Sequence, residues 1–125
     1  MAQKQSFREL RVWQLGCEVA VDVYRLTERF PKAEMYGLTQ QMRRAATSIP
    51  ANIAEGCARK GVGEFTQFLH IAAGSLAEPD TFLEITRHLD YAEAEAHTHL
   101  CAKSAELGRM LYGLIQRVRA GSRTT

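Results

Sequence analysis

Long apolar runs are missing from this sequence. None approaches the roughly 18 to 20 residues that a membrane-crossing helix needs, so no membrane partner is expected. Cysteine is scarce: Cys17, Cys57 and Cys101 form an odd, widely spaced set without a Cys-x-x-Cys pair. All three fall in helical patterns, where free cysteine acts as a small buried apolar residue, and this fits a reducing cytoplasm. The opening stretch Met1-Ala2-Gln3-Lys4-Gln5-Ser6 leads into charged sequence rather than an apolar signal core, so secretion is not expected. Strand-like alternation, internal repeats and low-complexity tracts are also absent.

Charge of one sign is in short supply as well. A net charge of +2 does not mark a nucleic-acid binder outright. Its distribution says more. Residues 35–60 carry Arg43, Arg44, Arg59 and Lys60 against Glu55, a local +3, whereas residues 61–90 carry a local −4. From residue 91 onward the balance returns to +2, through Lys103, Arg109, Arg117, Arg119 and Arg123. Such a dipole can steer a partner or hold neighbouring helices together.

What the sequence has is helical periodicity. Val12, Gly16, Val19, Val23, Leu26 and Phe30 step by four and three, widened by Trp13, Ala20 and Tyr24, until Pro31 ends the run. A second segment places Leu38, Met42, Ala45, Ala46, Ile49 and Ile53 on one face. Pro50 falls inside it, and either kinks one helix or separates two, with Ser48 capping the second. The apolar spacing stays in phase across Pro50, which favours one kinked helix. After Gly61-Val62-Gly63, a third segment carries Phe65, Phe68, Leu69, Ala72, Leu76, Phe82, Leu83 and Leu89, with Pro79 predicting a bend. The fourth runs from about Ala92 to Arg119 on a seam of Leu100, Leu107, Leu111, Leu114 and Val118. These four amphipathic helices predict an all-α, up-down-up-down antiparallel four-helix bundle. One domain spans residues 1–125, with residues 1–6 and 120–125 as frayed tails.

Catalytic and metal patterns do not emerge. No glutamate has a histidine three positions on, so the di-metal pattern of bundles is missing. Glu84/His88 and Glu95/His99 are four apart, the spacing of surface pairs. His97 and His99 point to different sides of a helix. There is no His-Glu-x-x-His, no Gly-x-Ser-x-Gly and no phosphate-cradling loop, since Gly61-Val62-Gly63 is followed by Glu64 and Phe65. Neither enzymatic activity nor a cofactor or metal is expected.

The second helix carries the most informative cluster. Folding helices two and three about Gly61 puts Arg44 level with Glu78 and brings Arg43 toward Asp80 or Glu84. The arginines then serve either as interhelical ion pairs or, facing outward, as phosphate contacts. Asn52 and Glu55 either satisfy backbone groups freed by Pro50 or meet another subunit.

Read together, several stretches resemble a known family. They are Phe7-Arg8-Glu9-Leu10, Val12-Trp13-Gln14, Tyr36-Gly37-Leu38-Thr39, Gln41-Met42-Arg43-Arg44-Ala45-Ala46, Ser48-Ile49-Pro50-Ala51-Asn52-Ile53-Ala54-Glu55-Gly56 and Gly74-Ser75-Leu76-Ala77-Glu78. They are similar to the bacterial four-helix-bundle proteins encoded in intervening sequences of 23S rRNA genes, over about residues 7 to 119. The resemblance implies a homopentameric ring with a central channel and no enzymatic activity. It also implies an architecture like that of retroelement accessory proteins that bind nucleic acid and a reverse transcriptase. Two departures stand out: Pro79-Asp80 follows Glu78, and Cys57 occupies a position where an aromatic is common. The expected function is therefore that of a self-associating module that contacts RNA or other nucleic acid. The expected contacts are Arg43, Arg44, Arg59, Lys60, Arg117 and Arg119, with Arg123 beyond them. The alternative is a protein-binding scaffold in which Arg43 and Arg44 are spent inside the bundle.

Overall fold

The computed structural model describes residues 6–121. The expected tails at residues 1–5 and 122–125, with Arg123, lie outside the described residues. Five helices make four rods: α1 (Arg11–Thr27), α2 (Gln40–Cys57), α3 (Val62–Ser75) continued by α4 (Ala77–His88), and α5 (Ala94–Arg119). Short helical turns at Phe7–Glu9, Lys32–Glu34 and Met35–Thr39 lead into α1 and α2.

Side-chain contacts fix the direction of every rod. Arg43 of α2 reaches Thr27 of α1, while Pro50 meets Gly16, so α2 runs antiparallel to α1. Lys103 of α5 bonds Asp22, and Arg29 pairs with Glu93, so α5 also opposes α1. Ser104 bonds Asp80, and Arg119 bonds His70, which sets the α3–α4 rod against α5. The result is a four-helix bundle in which each neighbouring pair is antiparallel.

Its core follows the sequence stripes. Val12, Val19 and Val23 of α1, Met42, Ala46, Ile49 and Ile53 of α2, Phe65 and Leu69 of α3, and Leu107, Leu111 and Leu114 of α5 are all buried. Each of these buried Val, Leu, Ile, Met and Phe side chains contributes about 1.5–3 kcal/mol relative to exposure. Five expected core members differ. Tyr24 and Leu89 are exposed, because they sit at the edges of their stripes near rod ends. The three cysteines are free and half-buried rather than fully buried.

The two internal prolines behave differently. α2 continues unbroken through Pro50, and Ser48 caps no new helix, its hydroxyl donating instead to the Ala45 carbonyl at 2.7 Å. Gly16 gives the proline ring its seat: a Cβ there would stand 3.5 Å from the Pro50 Cβ. In the third rod the break falls at Leu76, three residues before Pro79. Proline lacks the N–H that would bond the carbonyl of Ser75, and its ring presses on that carbonyl. The ladder therefore gives out one turn upstream of the proline.

α4 ends in left-handed backbone. Asp90 has φ 57°, its N–H donates to the Arg87 carbonyl at 3.2 Å, and the Tyr91 N–H donates to the Thr86 carbonyl at 3.1 Å. These paired bonds close the helix and turn the chain toward α5.

Candidate nucleic-acid interface

The six candidate cations do not form one patch. Arg43 lies in the first half of α2 and Arg59 just past its end, about 24 Å apart at the usual helical rise of about 1.5 Å per residue. α2 and α5 finish at the same end of the bundle, so Arg59 and Lys60 share that end with Arg117 and Arg119. Arg43 and Arg44 lie near the start of α2, toward the opposite end.

At the shared end, Lys60, Arg117 and Arg119 are exposed and Arg59 is half-buried. Arg59 donates to Glu55 at 2.6 Å, and its guanidinium lies 5.0 Å from the Phe68 ring centroid. Arg119 Nη2 sits 2.9 Å from His70 Nε2, beside a shallow depression that includes Thr66 and Gln67. Exposed pairs of this kind are weak.

Arg43 is not an interhelical ion-pair partner. Its Nε donates to the buried Thr27 hydroxyl at 2.9 Å, its Nη2 to the Tyr24 carbonyl at 3.4 Å, and its guanidinium stacks 4.5 Å from the Tyr24 ring centroid. The carboxylates expected to receive it are engaged elsewhere. Asp80 accepts from Ser104 at 2.8 Å, and Glu84 accepts from Arg87 at 2.7 Å. Hydrogen bonds from Arg87 and then His88 hold the Glu84 carboxyl down to about 2. Arg44 does stand level with Glu78, and both line the groove between α2 and α4. Among the described residues, however, no ion pair joins them. Asn52 turns inward on its own helix, donating to the Ser48 carbonyl at 2.8 Å.

The sequence did not point to the aromatic groove beside these arginines. Tyr24, Met35, Tyr36, Gln40, Arg43 and Arg44 border a depression of about 320 Å³ that no carboxylate lines. Tyr36 is 89% exposed, Met35 45% and Tyr24 43%. Glu34 fixes the turn that presents them, accepting the Tyr91 hydroxyl at 2.9 Å. The available signal was the Met35-Tyr36-Gly37 turn itself, where two large apolar residues stand outside any helical stripe.

The remaining titratable groups hold the bundle or lie apart from this surface. Lys103 reaches Asp22 at 2.9 Å and Glu18 at 3.2 Å, and the Asp22 hydrogen bond raises its pKa. Burial raises the Cys17 and Cys101 thiols, which disfavours the reactive thiolate. Among the described residues, no three acidic, histidine or cysteine side chains gather as a metal-holding group, and no helix is long and apolar enough to cross a membrane.

Comparison with known proteins adds two findings. The sequence pattern of the family described as 23S rRNA-intervening sequence protein matches residues 8–113. The crystal structure of a protein with unknown function, from the S23 ribosomal protein family of Bacteroides thetaiotaomicron, is similar at 25% identity and TM-score 0.74. That similarity covers 83% of this chain and 97% of the other. No curated protein matches the chain.

Proposed function

Because this chain belongs to the 23S rRNA-intervening sequence protein family, we propose that it is a non-enzymatic helical module that self-associates and contacts nucleic acid. The contacting surface is the bundle end that carries Arg59, Lys60, Arg117 and Arg119. The observation behind this reading is the common end shared by these four cations. In a cyclic ring every subunit turns the same end to the same side, so each cation recurs once per subunit and weak contacts add. Phosphate contacts of this kind confer affinity that falls with salt and carry no base specificity.

The test is fluorescence anisotropy with a structured RNA and a scrambled control, at low and near-physiological salt. It is paired with light scattering for a mass of five 14.0-kDa chains. Salt-sensitive binding to both RNAs, lost in Lys60→Glu/Arg117→Glu/Arg119→Glu with helicity and mass retained, supports the reading. Absence of binding at low salt removes nucleic acid from it, and a monomer at micromolar concentration removes the ring.

A second reading rests on the aromatic groove. Exposed tyrosine, methionine and arginine are the residue types enriched in protein interfaces, so this face suits a protein partner, including a sister subunit. Tyr36→Ser/Arg44→Ala would then shift the solution mass toward a single chain without altering helicity.

A further inference from the structure

The α1–α5 seam is open near the start of α5. Positions 92 and 96 are alanines, and the chain leaves a cleft of about 330 Å³ there, floored by Leu26 and Leu100. That volume lies at the small end of the range for ligand sites. Leu26 and Leu100 are buried, so the apolar wall is continuous with the core.

The polar groups around this wall divide into two sets. Asp22 accepts from Lys103 at 2.9 Å, Glu93 is paired with Arg29, and the Tyr91 hydroxyl donates to Glu34 at 2.9 Å. These are satisfied inside the protein. Arg25 and His99 also line the cleft, yet among the described residues neither makes a hydrogen bond or ion pair. Both offer N–H groups, and Arg25 is a permanent cation. Glu93 has Arg29 and Asp22 has Lys103, which it shares with Glu18, whereas Arg25 has no carboxylate partner among the described residues.

We propose that this cleft binds a small amphipathic anion, an aromatic or branched carboxylate, at a site separate from the surfaces assigned above. The apolar body lies against Leu26, Ala92, Ala96 and Leu100, and the carboxylate meets Arg25 and His99. The Arg29–Glu93 pair stands beside the opening with both side chains mostly exposed, so it yields to an entering ligand at little cost.

The experiment is an amide NMR titration of the full chain with 2-naphthoate, beside the neutral 2-naphthalenemethanol. Saturable shifts centred on residues 25–26, 92, 96 and 99–100 are expected. Arg25→Gln should weaken naphthoate binding by about fivefold or more, as a lost charge-assisted hydrogen bond does. Ala96→Phe should fill the cleft and abolish binding of both compounds, and Ala92→Leu serves the same end if Ala96→Phe perturbs the fold. Absence of saturable shifts at millimolar naphthoate overturns the site. So do shifts indifferent to the filling variants. Equal affinity for the neutral alcohol, or binding unchanged in Arg25→Gln, overturns the anion assignment.

Discussion

Arg43 and Thr27 lock α1 to α2: the guanidinium Nε donates to the threonine hydroxyl at 2.9 Å, and that hydroxyl donates to the Val23 carbonyl at 2.8 Å. One buried oxygen is thereby satisfied as donor and acceptor, with Arg43 lying on the Tyr24 ring. An arginine adjacent in sequence, Arg44, has no such role and is exposed. Arg43→Ala should lower stability in urea unfolding by about 1–2 kcal/mol, whereas Arg44→Ala should stay within about 0.5 kcal/mol. Equal losses would mean that the Thr27 contact contributes nothing of its own.

Two glycines should respond in opposite directions to alanine. At Gly56 a Cβ would stand 2.8 Å from the Phe68 Cβ and 3.2 Å from the Phe65 ring, so α2 and α3 must separate. Gly56→Ala should cost about 1–3 kcal/mol despite the better helix propensity. Gly74 meets nothing within 4 Å and lies inside α3, so Gly74→Ala should gain up to about 1 kcal/mol. Thermal unfolding of the two variants beside the parent measures both.

Asp90 holds left-handed backbone that glycine adopts without steric cost. Asp90→Gly should raise stability by about 0.5–1 kcal/mol, and a β-branched residue there should lower it. A loss on glycine substitution would show that the aspartate side chain does more than tolerate the turn.

These responses mark how far the sequence could be read. The stripe from Val12 to Phe30 and the Leu100-to-Val118 seam were legible because helical spacing alone selects them, and all but the cap-like edges are buried. The Arg44–Glu78 register was legible too, since it depends only on counting from Gly61. The missing ion pair was not, because exposed side chains gain little from pairing. Nor was the seat of Arg43: Thr27 lies on another helix, and helical spacing does not mark its hydroxyl as a partner. The break at Leu76 rather than Pro79 follows from which carbonyl the proline deprives of a partner. Gly16 read as an apolar-stripe member, and only the packing shows it making room for Pro50.

Glu84 should titrate far from an ordinary glutamate. Its carboxyl is held near 2, against a usual 4.5, by hydrogen bonds from Arg87 and His88. A folded-state pKa below the unfolded one contributes stability above about pH 4.5, and this is lost as pH falls through about 2. The side chains are exposed, so the global effect is small and the local titration is the readout. Carboxyl-carbon NMR should give a midpoint near 2, and Arg87→Ala should move it back toward 4.5. A midpoint unmoved by that change would exclude Arg87 as the cause.

The break at Leu76 costs the third rod one rung of its ladder and leaves its course intact. Leu76 is buried and keeps helical backbone (φ −65°, ψ −25°); its N–H donates to the Ala73 carbonyl at 3.3 Å, and its carbonyl accepts from the Asp80 N–H at 3.2 Å. α4 therefore prolongs α3, and Asp80 is delivered to Ser104 of α5 at 2.8 Å by a helix that a proline interrupts without turning.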